Sequence, residues 1–224
     1  MTCTNQINRK DKNSVVFLWD LHEVVFQKSW RHWIKIFFSF NQKVEIFKHL
    51  SPRIIKLGFL CIAEKCRLIN SPITTEELFI AAQESNNFAL AELIMQICCA
   101  YTPIVQTIDI IKALHSQGYV HHIGSNIGYC AYKEFIHVYP DIFSLFSHAQ
   151  VVEKNINHAS FIKKPNPAYY TLHMQTYDLQ PSNIIFIDDK KQNIKSAKRL
   201  GMNAIRFKNP KQLKKRLLQI GFDI

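Results

Sequence analysis

Four groups of polar residues stand at places in the chain where chemistry can be done. Asp20 closes the apolar run Val15-Val16-Phe17-Leu18-Trp19. Ser125 and Asn126 come directly after Tyr119 to Gly124, Lys164 precedes Pro165, and Asp188-Asp189 closes Ile184-Ile185-Phe186-Ile187. Carboxylates beside a hydroxyl, an amide and an ammonium can bind and act on a ligand, provided the fold brings them together. Taken singly each has an ordinary reading: a lone aspartate after a strand is a turn former or a helix cap, and Ser125 or one of the acidic pair can cap the helix that follows.

The elements that would position these residues are legible in the apolar pattern. Runs of buried β-formers such as residues 15–19 and 184–187 suit strands covered on both faces. Ile104 to Gln117 is amphipathic and closed by Gly118, so Tyr119 to Gly124 is read as the next strand and Ala131 to His137 as a helix. Ala149 to Val152 is a weak strand. Pro167 to Tyr177 and Lys191 to Leu200 are read as helices, and Ala204 to Phe207 as the last strand. Such alternation predicts a doubly wound parallel sheet, whose strand-end loops all open on one edge. Asp20, Ser125, Lys164 and Asp188-Asp189 therefore converge, and that convergence is the functional signal.

Between about Gln27 and Tyr101 the spacing of apolar residues becomes helical, as in Trp30, Trp33, Ile34 and Phe37, and no strand alternation is evident. Thr74 with Glu77 three residues on forms a capping box. The aromatic stretch from Trp30 to Phe40 is read as core, with one aromatic facing the site. The expected organisation is an α/β core over 15–26 and 102–224, a helical insertion over 27–101 and a flexible leader over 1–14.

The 224 residues are 47% hydrophobic and 20% charged, as expected of a globular chain, and no run of 18 apolar residues proposes a membrane span. The polar start lacks the apolar run of a signal peptide, so a cytoplasmic location is expected. Six cysteines show no CxxC pair and no zinc spacing, and read as reduced, mostly buried thiols. His121 and His122, inside a strand, read as hydrogen-bonded structural histidines. The net charge of +11 favours encounter with anionic substrates such as phosphate esters. Its one cluster, Lys208 to Arg216, reads as a solvated last helix, and nucleic acid is not expected as a partner.

The order Trp19-Asp20-Leu21, Ile123-Gly124-Ser125-Asn126, Lys163-Lys164-Pro165-Asn166-Pro167 and Phe186-Ile187-Asp188-Asp189 resembles the four motifs of the haloacid dehalogenase superfamily. The stretch from Asp189 through Asn193 and Ala197 to Gly201 resembles that family's fourth-motif helix. The insertion resembles the small helical cap of the subfamily holding dehalogenases and phosphoglycolate phosphatases. The resemblance implies a Rossmann-like core and a magnesium-dependent phosphatase acting on a small phosphorylated metabolite. Asp20 would be the nucleophile, giving an aspartyl-phosphate. Mg2+ would be held by the Asp20 side chain, the His22 backbone carbonyl and Asp188 or Asp189, all hard oxygens. Ser125, Asn126 and Lys164 would bind the phosphoryl group, and Asn193 would support the metal loop.

The pattern is broken just after Asp20. Most phosphatases of the family place a second aspartate, the proton donor and acceptor, two residues after the nucleophile and then a glycine; here His22 and Glu23 stand there. An imidazole, with an ordinary pKa of about 6.5, can take over proton transfer. The alternatives are slow hydrolysis, or a family member that binds a phosphorylated ligand or a protein partner without turnover. The sequence leaves the substrate and the oligomeric state open.

Overall fold

The computed structural model describes residues 14–40, 74–152 and 162–224, together with Pro52, Ile55 and Lys56. The leader expected over 1–14 lies, but for Ser14, outside the described residues.

β1 (Val16–Trp19) is buried along its whole length and is the hub of a five-stranded sheet. It pairs in parallel with β4 (Val120–Gly128) on one side and with β6 (Ile184–Asp188) on the other. β5 (His148–Val152) extends the β4 side and β7 (Asn203–Arg206) the β6 side, also in parallel. The resulting order is β5-β4-β1-β6-β7, so the chain leaves β1 first one way and then the other. The crevice at such a reversal lies at the C-terminal end of the central strand. Asp20 is the residue there.

Alternate residues of the central strands feed two cores. Phe17, Trp19, Ile185 and Ile187 pack beneath α4 (Val105–Ser116), α5 (Tyr129–Val138) and α9 (Pro210–Gln219). Leu18, Ile184 and Phe186 pack on the opposite face beneath α7 (Pro167–Thr176) and α8 (Lys191–Arg199). Cover on both faces explains the unbroken apolar runs. α4 ends where Gly118 adopts φ +87°, a conformation that carries no penalty for glycine.

Between β1 and β4 the described residues form α1 (Trp30–Phe40), α2 (Thr75–Glu84) and α3 (Phe88–Cys98). The Thr74 hydroxyl accepts from the Glu77 amide, and the Glu77 carboxylate accepts from the Thr74 amide, completing the expected capping box. Three details differ from expectation. β2 (Phe26–Lys28) pairs antiparallel with β3 (Tyr101–Pro103), so a short ribbon joins the two ends of the stretch where only helix was expected. Three-residue strands are too short to show alternation. A helical turn, α6 (Pro140–Phe143), also follows α5. Finally, α1 forms and packs on α3, but Trp30 is 82% and Ile34 54% exposed, against the core reading at those two positions; the side chains of Trp33 and of residues 37–40 lie outside the described set.

His121 and His122, adjacent on β4, point to opposite faces. His121 Nδ1 accepts from the Trp19 indole at 3.1 Å, and His122 Nδ1 lies 3.1 Å from His173 Nε2. Burial, aided by neighbouring imidazoles, holds His121 down at about 3, His122 at about 4 and His173 at about 3. All three fold as neutral rings, whereas the unfolded chain protonates them near pH 6.5. The unfolded state thus binds more protons below that pH, and stability falls as pH drops from about 6.5 towards 4. Each ring is expected to cost on the order of 1–2 kcal/mol at pH 5. Urea denaturation at pH 7.5 and pH 5 measures the loss, and a paired His122→Phe, His173→Leu variant should show a shallower one. An equal loss in the variant would contradict this account.

Candidate active site

Lys164 is the point where the four motifs meet. Its side chain is buried, and its three ammonium hydrogens have three acceptors: Asp188 Oδ2 at 2.7 Å, the Gly124 carbonyl at 2.6 Å and Asp20 Oδ1 at 3.2 Å. Burial alone would drive the proton off, but Asp188 and then Asp20 overcompensate and hold the lysine above its ordinary range. Asn126 fixes the lysine's backbone: its amide nitrogen donates to the Lys164 carbonyl and its amide oxygen accepts from the Lys164 amide, both at 2.8 Å. The side chain of Asn126, expected at the phosphate, thus serves to position Lys164.

Asp20 Oδ1 also accepts from the Leu21 amide at 2.8 Å and from the Ser125 hydroxyl at 2.9 Å. Ser125 and Asn126 lie inside β4, which runs on past its expected end at Gly124 while its pairing with β5 shifts register between Gly124 and Gly128. Apolar patterning lapses at Ser125-Asn126, but the backbone stays extended and Ile127 is buried again.

Asp188 accepts from the Lys190 amide at 2.8 Å and from the Asn193 amide nitrogen at 2.8 and 3.0 Å. Burial pushes its carboxyl up, Lys164 pulls it down, and Asp20 adds to the rise. Carboxylate oxygens of Asp20, Asp188 and Asp189 lie within 4.8 Å of one another, a hard-oxygen cluster that suits magnesium. Asp188 is already the counter-ion of Lys164, and Asp189 is the more open of the pair.

Two groups went unread in the sequence. Tyr169 and Tyr170 of α7 are fully buried; Tyr169 donates to the Ser125 carbonyl at 3.3 Å and to the Gln150 carbonyl, and Tyr170 to the Asn193 carbonyl at 3.1 Å. Adjacent tyrosines in a helix carry no mark of that task. Glu23 is at φ +63°, in the left-handed region that favours the glycine usual at this place. The tight turn from Leu21 to Phe26, in which the Leu21 carbonyl accepts from the Val25 and Phe26 amides, imposes that conformation. The His22 ring stacks on Tyr101 with centroids 4.2 Å apart and meets Phe135 edge-on at 6.0 Å. A cavity of about 460 Å³ lies beyond Tyr101, lined by His32, Lys35, Glu134 and Tyr139 among others, and none of the three aspartates borders it.

Residues 74–207, more than half of the chain, match the family model described as haloacid dehalogenase-like hydrolase. The chain belongs to this family of hydrolases. The match takes in Ser125, Lys164 and the aspartate pair, and Asp20 joins them through the geometry above. A 62-residue stretch is 34% identical to flavin mononucleotide hydrolase 1, a chloroplast protein of Arabidopsis thaliana, and covers 28% of this chain and 25% of that relative. The chain therefore matches about a quarter of the relative's length. Among solved structures, a haloacid dehalogenase-like hydrolase from Porphyromonas gingivalis superposes with a TM-score of 0.57 at 16% identity, over 92% of this chain and 98% of that one. L-2-haloacid dehalogenase from Xanthobacter autotrophicus gives 0.54 at 12% identity, over 93% and 84%. A family enzyme from Bacteroides thetaiotaomicron, in complex with magnesium and inorganic phosphate, gives 0.53 at 17% identity, over 87% and 94%. At these identities the likeness is one of fold. Among the described residues, no helix of this hydrolase is long and apolar enough to cross a membrane.

Glu76 of α2 joins α2 to the start of α5. Its buried carboxylate accepts from the Cys130 amide at 3.3 and 3.4 Å, in the first turn of α5, where the N-cap Gly128 offers no side chain. A negative group there is favoured by the helix dipole. Burial pushes this carboxyl up, and the Cys130 contacts oppose the rise. A Cβ on Gly128 would stand 2.2 Å from Glu76 Oε2. Gly128→Ala is therefore expected to destabilise by about 1–3 kcal/mol, and to cost less in a Glu76→Ala background, where the Cβ of residue 76 at 3.0 Å is the contact that remains. A double-mutant cycle by denaturation checks this; additive costs would contradict the contact.

Proposed function

We propose that this hydrolase cleaves a small phosphorylated metabolite, with Asp20 as nucleophile and Mg2+ bound by Asp20, the His22 carbonyl and Asp188 or Asp189. The observation that carries the reading is the anchoring of Asp20. Three donors hold its Oδ1, and this fixes the direction in which the carboxylate faces a substrate. When bound, the ion would offset the charge of a phosphate dianion and polarise it.

Attack of the Asp20 carboxylate on phosphorus expels the alcohol and leaves an aspartyl-phosphate, and water attacking the same phosphorus restores Asp20. Ser125 has one hydroxyl hydrogen, which Asp20 takes in this state; a phosphoryl oxygen would take it over. Lys164, with all three donors engaged, acts chiefly as a fixed positive charge beside the developing negative one. Asn193 and Tyr170 hold the aspartate loop in place. We take residues 27–101 as the cap, hinged at β2 and β3, over a core of 15–26 and 102–224.

His22 is the proposed proton carrier for the leaving alcohol and the attacking water. A second reading, binding without turnover, is favoured by the same neighbourhood, because the ring lies flat on Tyr101. Phosphate release from a panel of small phosphate esters, flavin mononucleotide among them, separates the two. With magnesium, release is expected and should fall by about a thousandfold or more in Asp20→Asn. His22→Ala should lower kcat by roughly 10² or more and remove one limb of the pH profile. An unchanged profile would dismiss His22 from this role. No release from any ester, with a phosphate mimic still bound, would favour the binding reading.

A further inference from the structure

The protein's charge is far from evenly spread. Residues 190–219 hold eleven of the 28 lysines and arginines and none of the 17 acidic residues. The remainder of the chain carries seventeen of each sign and is neutral, so the whole net charge of +11 belongs to this segment. In the folded protein the segment is α8, β7 and α9, and all eleven basic residues are exposed. Among the described residues, none of them forms an ion pair. α8 and α9 cover opposite faces of the sheet, and β7 is the edge strand between them in the chain, so the segment presents an exposed basic helix on each face.

Local needs explain little of it. Basic residues on an edge strand guard against edge-to-edge pairing, which accounts for Arg206 and at most a neighbour. Lysines in a helix's last turn suit its dipole, yet Lys190 and Lys191 open α8 and Lys211 opens α9, with no acidic residue in either first turn. An ordinary solvated surface mixes both signs. On α8 the exposed Lys191, Lys195 and Lys198 stand three or four residues apart and form one line, and on α9 the exposed Lys214 and Lys215 stand three and four residues beyond Lys211. A lipid-seeking helix would add an exposed apolar face; on these two helices Leu218 is the one large apolar residue in the exposed set.

We propose that this basic segment binds the phosphate backbone of nucleic acid. The segment also touches the acidic pair, since Arg206 Nε donates to the Asp189 carbonyl at 3.2 Å. The inference rests on charge placement and is independent of the reaction proposed above. Backbone binding without base contacts is driven by counterion release, so it must weaken steeply with salt.

Fluorescence anisotropy of the full chain, with a labelled 20-nucleotide single strand and a 20-base-pair duplex, tests it. At about 50 mM salt we expect saturable binding, with log K falling linearly in log salt by roughly 0.9 per duplex phosphate neutralised. Reversing Lys191, Lys195 and Lys198 to Glu, or Lys211, Lys214 and Lys215 to Glu, should each weaken binding tenfold or more and flatten the salt slope. Reversing Lys28, Lys112 and Lys133, which changes net charge equally elsewhere, should leave affinity within about threefold. Circular dichroism, expected to be unchanged, monitors folding of all three variants. The proposal is overturned by absence of binding at 50 mM salt, by an equal loss in the Lys28/Lys112/Lys133 variant, or by binding to vesicles of anionic lipid with none to nucleic acid.

Discussion

Lys164 carries a positive charge into a place almost closed to water, and Asp20 and Asp188 are what keep it charged there. Two carboxylates this near each other would repel without a cation between them. An ammonium alone at that depth would shed a proton. Each group is tolerable because of the others, and losing one member of such a buried set costs about 3–5 kcal/mol. The same three contacts tie together the end of β1, the Gly124 carbonyl of β4, the loop before α7 and the end of β6. Much else in the site serves this knot. Asn126 grips the lysine backbone, Asn193 and the Lys190 amide hold Asp188, and Ser125 and the Leu21 amide hold Asp20.

The knot also defines what a substrate would meet. Positive charge stands behind Asp20, three carboxylates face one another, and a hydroxyl is at hand to change partners. Such an arrangement is costly without a ligand, and a phosphoryl group with a hard cation would relieve it. Proton transfer is less plainly provided for. His22 sits against an aromatic wall, and Glu23 takes up a left-handed turn where a glycine would be unstrained. The chain tolerates that strain, of about 1–2 kcal/mol for a non-glycine residue, because the Leu21 carbonyl and the Phe26 amide close the turn around it.

How much of this was legible beforehand follows from what each residue's neighbours are. β1 and β6 announce themselves because strands buried on two faces must be apolar throughout, and the residues that end them are therefore conspicuous. Gly118 and the Thr74-Glu77 pair mark helix ends through local rules. β4 was cut short at Gly124 because polar Ser125 and Asn126 look like a loop, whereas tertiary hydrogen bonds to Asp20 and Lys164 satisfy them within the strand. β2 and β3 hold three residues each, too few for a period, and 73 positions separate their closest ends, so nothing local joins them. Contacts such as Tyr169 to Ser125, or Glu76 to Cys130, pair residues 44 and 54 positions apart with no spacing rule to announce them. The site's members could be read from strand ends, but the braces around them could not.

The account stands on Asp20 becoming covalently phosphorylated. A single turnover with an ester carrying labelled phosphate, quenched in acid within milliseconds and digested to peptides, measures this directly. The account predicts transient label on the peptide holding Asp20, decaying at the rate at which free phosphate appears. Free phosphate released at full rate with no label on that peptide at any time would contradict it.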